Sequence, residues 1–230
     1  MYKDIIKIVS GDITKIPEAE VIVNAANNQL EMGGGVCGAI FRAAAGDLAK
    51  ECKEIGGCAT GEAVITKGYN LPNKYIIHTV GPRYSTGENG EAEKLASSYY
   101  KSLKLAKEKG LRKIAFPSVS TGIYRFPVNE GAEIALSTAK KFIDENPNSF
   151  DLILWVLDEK TYIVYKEKYE KIIKEYGLET APELKTESVI LYHSHALAET
   201  FKDIIFNSTD ITELDARTYV TLISQQNTRK

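Results

Sequence analysis

The sequence carries almost no excess charge: 29 Lys and Arg against 31 Asp and Glu leave a formal net charge of −2 over 230 residues. That excludes a global basic field able to gather nucleic acid or an anionic membrane, so any bound anion must be held by local geometry. Long apolar runs are missing as well. None approaches the ~20 residues needed to cross a bilayer, and Met1-Tyr2-Lys3-Asp4 leads towards a strand without a signal-peptide core. Cysteine is scarce: Cys37, Cys52 and Cys58 are odd in number, irregularly spaced and distant in sequence from any histidine. This excludes a disulfide framework and a recognisable zinc set. No His, Asp or Glu cluster has metal-ligand spacing, no cofactor is implied, and a reducing, cytoplasmic setting is expected.

What is present is the composition of a folded protein, 43% hydrophobic and 26% charged. Residues 1–176 alternate strand-like and helix-like segments. Ile5–Val9, Val21–Val23, Ala63–Thr66, Tyr75–Val80 and Lys113–Phe116 read as strands, and the uninterrupted Leu152–Val156 as a strand buried on both faces. Val36–Ala45, Glu93–Lys109 and a segment opening at Pro127 read as helices. A last helix carries Tyr162, Tyr165, Tyr169, Ile172, Ile173 and Tyr176 on one face, with Gly177 as its stop. Strands joined by crossover helices predict an α/β fold whose mostly parallel sheet has helices on both sides. Residues 177–230 form a C-terminal extension with 5 Lys/Arg against 8 Asp/Glu. A strand over Ser188–Tyr192 and helices over Ala196–Phe206 and Asp210–Ser224 are expected there. So short a segment is marginal for a core of its own, so it should pack on the main domain. His193 and His195, with no third ligand nearby, read as incidental.

Two glycine-bearing loops follow strands and open helices, one over Asn24–Ile40 and one over Pro117–Pro127. In open α/β sheets ligands bind beyond the carboxyl ends of the strands. There, main-chain N–H groups at a helix N-terminus favour anions, and glycine lets the chain approach a phosphate closely. Two such loops facing one crevice grip a pyrophosphate without lysine or arginine. For either loop alone, glycines that only permit a tight turn and close helix packing are the better reading; two such loops in one chain weaken it. Gly33-Gly34-Gly35 lacks both the P-loop lysine and the G-x-G-x-x-G spacing, so these patterns imply a phosphate-bearing nucleotide and leave its binding mode open.

Five segments in register resemble the successive motifs of macro domains. They are Gly11-Asp12-Ile13-Thr14, Val21-Ile22-Val23-Asn24-Ala25-Ala26-Asn27, Gly33-Gly34-Gly35-Val36, His78-Thr79-Val80-Gly81-Pro82 and Phe116-Pro117-Ser118-Val119-Ser120-Thr121-Gly122. The branch that hydrolyses mono-ADP-ribosyl esters and O-acetyl-ADP-ribose is the most similar. The resemblance spans residues 1–176 and implies a three-layer α/β/α sandwich with a mostly parallel mixed sheet. It also implies ADP-ribose, or a protein carrying it, as ligand. Asp12 then accepts a hydrogen bond from the adenine amino group, assisted by the Ile13 amide. Gly33, Gly34, Gly35, Val36, Ser120, Thr121, Gly122, Ile123 and Tyr124 wrap the diphosphate and distal ribose. Asn27 bonds that ribose, Tyr124 covers it, and Leu157 and Asp158 border the adenine. Asn24 joins the ligand set or shapes the loop, and His78 is structural. Asn27, Gly35 and Cys37 surround the reacting centre.

Cys37 departs from the pattern, because many hydrolytic relatives have aspartate there. A thiol is a poor substitute for a carboxylate as general base, although a helix N-terminus favours thiolate. Three readings follow: water activated by the substrate's own diphosphate, direct action of Cys37 as base or nucleophile, or binding without turnover. The first is preferred because positioning alone lowers a barrier substantially. Enzyme and non-catalytic reader are thus the competing functions. Binding of nucleic acid through the adenine pocket is disfavoured by the neutral charge and the lack of a basic stripe.

Overall fold

Alternation along the strands decides which side of the sheet each residue serves, and it does so consistently. The computed structural model describes residues 2–179, with side chains through 172. Its six strands are β1 (Ile6–Ser10), β2 (Val21–Ala25), β3 (Ala63–Lys67), β4 (Tyr75–Thr79), β5 (Lys113–Phe116) and β6 (Leu152–Leu157). They form one sheet in the order β1-β6-β5-β2-β4-β3. Only β3 runs antiparallel to its neighbour. Val21 and Val23, Ile114 and Phe116, and Ile153, Trp155 and Leu157 enter one core. Their alternates Ile22, Ala115, Leu154 and Val156 enter the other, as the period of two requires.

The helices are α1 (Tyr2–Ile5), α2 (Gly35–Ala44), α3 (Leu48–Ile55), α4 (Glu91–Glu108), α5 (Val128–Glu145) and α6 (Glu159–Glu179), with a 3-10 turn at Ile13–Lys15. Apolar residues of α4, α5 and α6 fill the first core, and those of α2 and α3 fill the second. The result is the three-layer α/β/α sandwich with a mixed, mostly parallel sheet. Trp155, fully buried, stacks on Phe116 with ring centroids 5.5 Å apart and packs near Tyr99 and Tyr165. Large aromatic side chains in such a position each contribute on the order of 1.5–3 kcal/mol by burial.

Three local expectations change. Ile5 closes α1 rather than opening β1. The helix α3 was not anticipated, because its eight residues LAKECKEI bury only Leu48 and Cys52 and so carry a weak apolar period. Gly177 does not end α6, which continues to Glu179; glycine inside a helix costs only about 1 kcal/mol, which neighbouring turns can offset. The expected strand at Ser188–Tyr192, the helices at Ala196–Phe206 and Asp210–Ser224, and His193 and His195 lie outside the described residues.

Candidate functional site

The carboxyl ends of β1, β6, β5 and β2 lie side by side in the sheet, and the loops leaving them enclose a cleft of about 680 Å³. From β1 come Gly11, Asp12 and Ile13, from β2 Ala26 and Asn27, from β5 the run Pro117–Tyr124, and from β6 Asp158. The first glycine loop reaches the cleft at Gly33 and runs into α2, whose first turn presents Val36 and Cys37. The two loops face each other: a side chain built on Gly34 would meet Ile123 Cδ1 at 3.5 Å.

The main-chain donors of these loops are the informative feature. Leu30 N donates to Asn27 O, and Gly38 N, at 3.3 Å from Gly34 O, makes the first bond of α2. The second loop is pinned likewise by Val119 N to Tyr99 Oη, Arg125 N to Gly122 O and Phe126 N to Ser120 O. Between those anchors, the amides of Gly33–Cys37 and of Ser120–Tyr124 have no acceptor among the described residues. The Ile13 amide has none either. Main-chain N–H groups are nearly always paired in folded proteins, so two unpaired runs lining one cleft form a ready anion cradle.

Close packing sets the cradle's shape. A Cβ on Gly38 would stand 2.5 Å from Gly33 O, and one on Gly81 would collide with the Ser120 side chain and lie 2.6 Å from Val119 Cγ1. Ser120 itself holds a left-handed φ of 66° and a buried hydroxyl without a partner among the described residues. A chain of hydroxyls ties this loop to the core: Thr121 Oγ1 to Ser118 Oγ (2.8 Å), Ser118 Oγ to Tyr165 Oη (2.9 Å), and Tyr165 Oη to Tyr99 Oη (3.3 Å). Above it, the Arg83 guanidinium lies 4.3 Å from the centre of the Tyr124 ring, a cation–π contact.

Asp12 lines the cleft and also caps the 3-10 turn, accepting from Thr14 N at 3.0 Å and Thr14 Oγ1 at 2.7 Å. The Thr14 hydroxyl, more than any other neighbour, holds its carboxyl below the usual range, and Lys15 at 3.4 Å adds to this. Asp158 caps α6 through Lys160 N, Thr161 N and Thr161 Oγ1. Asn27 lines the cleft while its side chain closes a loop, Oδ1 accepting from Glu31 N and Nδ2 donating to Glu31 O. Cys37 is only 5% exposed, and its Sγ lies 3.7 Å from Glu31 O as a weak donor.

Asn24 is the correction. Although grouped with the ligand contacts by the resemblance, it does not reach the cleft. It is fully buried within β2, opposite His78 in register. There its Nδ2 donates to His78 Nδ1 at 3.0 Å and towards Cys37 Sγ at 3.6 Å. His78 then donates through Nε2 to Thr66 Oγ1 at 2.8 Å, so a neutral imidazole supports the floor beneath Cys37. Burial lowers its pKa to about 4. The unfolded imidazole takes up a proton below ~6.5, so stability is lost as pH falls through that window. Urea unfolding should show a loss of about 2 kcal/mol between pH 7 and 4.5, and His78→Gln should flatten that part of the profile. An unchanged slope in the variant would assign the acid sensitivity elsewhere.

Relatives and solved structures place this geometry. A macro domain-containing protein of Methanosarcina mazei is 57% identical over 143 residues, covering 62% of this chain and 76% of that relative. The sequence profile described as Macro domain matches residues 23–135. The chain belongs to the macro domain family. This macro domain is 82% identical over 174 residues to the uncharacterized protein FN1951 of Fusobacterium nucleatum, covering 76% of this chain and 99% of that one. It is 46% identical over 175 residues to the ADP-ribose glycohydrolase MACROD2 of Xenopus laevis, covering 75% of this chain and 41% of the relative. The Oceanobacillus iheyensis macrodomain with ADP superposes with a TM-score of 0.72 at 43% identity, covering 76% of this chain and 95% of that one. The Trypanosoma brucei macrodomain in complex with ADP-ribose gives 0.65 at 39%, covering 70% and 68%.

The structure thus brings together, around one cleft, every residue given a ligand-binding or catalytic role from the sequence except Asn24. Sequence reasoning gave no site role to Gly81, Arg83 or Tyr165, although Gly81 stands in one of the five motifs. The first two lie two and four residues beyond Thr79, the last residue of β4, a legible signal; the role of Tyr165 depends on how α6 packs. No described helix is long and apolar enough to cross a membrane, and the described residues contain no group of three candidate metal ligands.

Proposed function

We propose that this macro domain binds ADP-ribose along the cleft and hydrolyses ester-linked ADP-ribose. Its substrates are mono-ADP-ribosylated Asp or Glu side chains, or O-acetyl-ADP-ribose. The single observation that carries the reading is the pair of unpaired amide runs, Gly33–Cys37 and Ser120–Tyr124, converging on one crevice. They suit a diphosphate in a chain of nearly neutral charge, and the reading assigns Asp12 and the Ile13 amide to the adenine edge. Likeness to a relative named ADP-ribose glycohydrolase supports turnover. Water, held by the substrate's diphosphate, adds to the ester carbonyl, and loop amides stabilise the oxyanion. Collapse returns the carboxylic acid and the free sugar hydroxyl. The protein contributes alignment.

Calorimetry with ADP-ribose, ADP and AMP tests the binding. ADP-ribose should bind about tenfold tighter than ADP, as expected for one or two added hydrogen bonds; equal affinities would remove the distal-ribose contacts. Turnover of a glutamate-linked substrate should stay within about threefold in Cys37→Ala, since positioning rather than a thiol base lowers the barrier. A collapse in that variant would give Cys37 a direct part. A second reading, a non-catalytic reader, is favoured by the thiol where many hydrolytic relatives carry a carboxylate. A stable complex that releases no ADP-ribose over hours selects it.

A further inference from the structure

A smaller hollow of about 230 Å³ adjoins the cleft and shares Gly81, Arg83 and Tyr124 with it. Its remaining lining comes from Asn28, Thr60, Pro82, Ser85, Asn89, Glu91 and Lys94. The wall carries several polar and charged side chains. Asn28 is held by its own bonds to Cys58 O and Thr60 Oγ1. Glu91 is buried, and its carboxylate turns inward, accepting from Ser85 N, Ser85 Oγ, Gly87 N and Asn89 N. Its charge therefore fixes the 85–89 loop. The two cations, Arg83 and Lys94, are exposed, and neither has a carboxylate partner among the described residues. Arg83 is held in place against Tyr124, while Lys94 Nζ reaches only Asn89 O, at 3.5 Å.

The hollow thus lies at the Tyr124 end of the cleft, where the proposed reading puts the distal ribose and so whatever is linked to it. We propose that it is the docking subsite for the polypeptide carrying the ADP-ribose. Arg83 and Lys94 there read acidic residues that flank the modified side chain. This rests on the ADP-ribose reading and deepens it, by giving the macro domain a preference among modified proteins. The amides of Asn28 and Asn89 and two cations without a carboxylate partner among the described residues give this wall groups that suit carboxylates and main-chain groups.

The test uses the full chain and three probes: free ADP-ribose, and two peptides mono-ADP-ribosylated on glutamine as a non-hydrolysable amide mimic of the glutamate ester. One peptide has Asp and Glu on both flanks, the other Ser and Gln. The acidic peptide should bind about fivefold tighter than the neutral one, with a salt dependence the neutral peptide lacks. Lys94→Glu should abolish that difference and Lys94→Ala should halve it, with affinity for free ADP-ribose unchanged, which also reports that both variants are folded. Equal binding of the two peptides to wild type, or a difference that survives Lys94→Glu, overturns the subsite. Failure of free ADP-ribose itself to bind wild type would instead overturn the reading on which it rests.

Discussion

Replacing Gly38 with alanine should lower turnover about 100-fold, because a shift near 1 Å in a positioning group costs that much. Affinity for ADP-ribose should fall about tenfold through loss of hydrogen-bond alignment. The added Cβ would stand 2.5 Å from the Gly33 carbonyl oxygen and 3.1 Å from Arg42 Nη1. The Arg42 contact is the end of a flexible chain and yields readily. The carbonyl is main chain, and its displacement moves the neighbouring amides of Gly34 and Gly35 out of register with the second loop. The fold itself should survive. Overpacking costs about 1–3 kcal/mol, while alanine is about 1 kcal/mol better than glycine inside a helix. Steady-state kinetics, calorimetry and urea unfolding on one preparation separate these effects. Wild-type turnover in a folded Gly38→Ala protein would mean that the Gly33 amide region does not hold the reacting group.

The fold was legible because its strands are apolar in the right rhythm and its loops end in residues that break that rhythm. Leu152–Val156 reads as a strand buried on both faces, and β6 sits between β1 and β5. Gly110 marks the end of α4, and its φ of 69° shows why glycine is needed there. α3 was not legible, since eight residues with two buried positions look much like a polar loop. The site was legible as a set of motifs, and its physical basis was not. Sequence shows glycine but not which amides lack acceptors, and it shows Asn24 beside Asn27 without showing that one faces the core and the other the cleft. Strand alternation offered a clue. Asn24 follows Val23, which enters the α4–α6 core, so its side chain belongs to the opposite layer with Ile22, where α2 and Cys37 also pack. The hydroxyl chain through Tyr165 joins residues 47 apart, and no local pattern records such a pairing.

On the proposed hydrolase reading, Asn27→Ala should reduce turnover by two to three orders of magnitude, the largest effect expected of a single side chain here, because it would remove both the proposed ribose contact and the support of the loop proposed to align the water. Its amide makes two bonds with Glu31, at 3.0 and 2.8 Å, across a turn in which Leu30 holds a φ of 58°. A non-glycine residue keeps that conformation only when surrounding bonds enforce it. Loss of both bonds lets Leu30 relax and carries Glu31 O away from Cys37 Sγ, 3.7 Å distant. Unfolding free energy should drop by about 1–2 kcal/mol, the worth of such bonds in a partly exposed turn. Two roles are then separable with ligands alone. If Asn27 also bonds the distal ribose, the variant loses clearly more affinity for ADP-ribose than for ADP, which lacks that sugar. If Asn27 acts only by shaping the loop, the displaced Gly33–Cys37 amides weaken both ligands equally. The hydrolase proposal requires the first pattern, since a water aligned for attack needs the sugar that bears the ester fixed in place. Equal loss for ADP and ADP-ribose would make Asn27 a support of the phosphate cradle and leave the reacting sugar without a side-chain anchor on this loop.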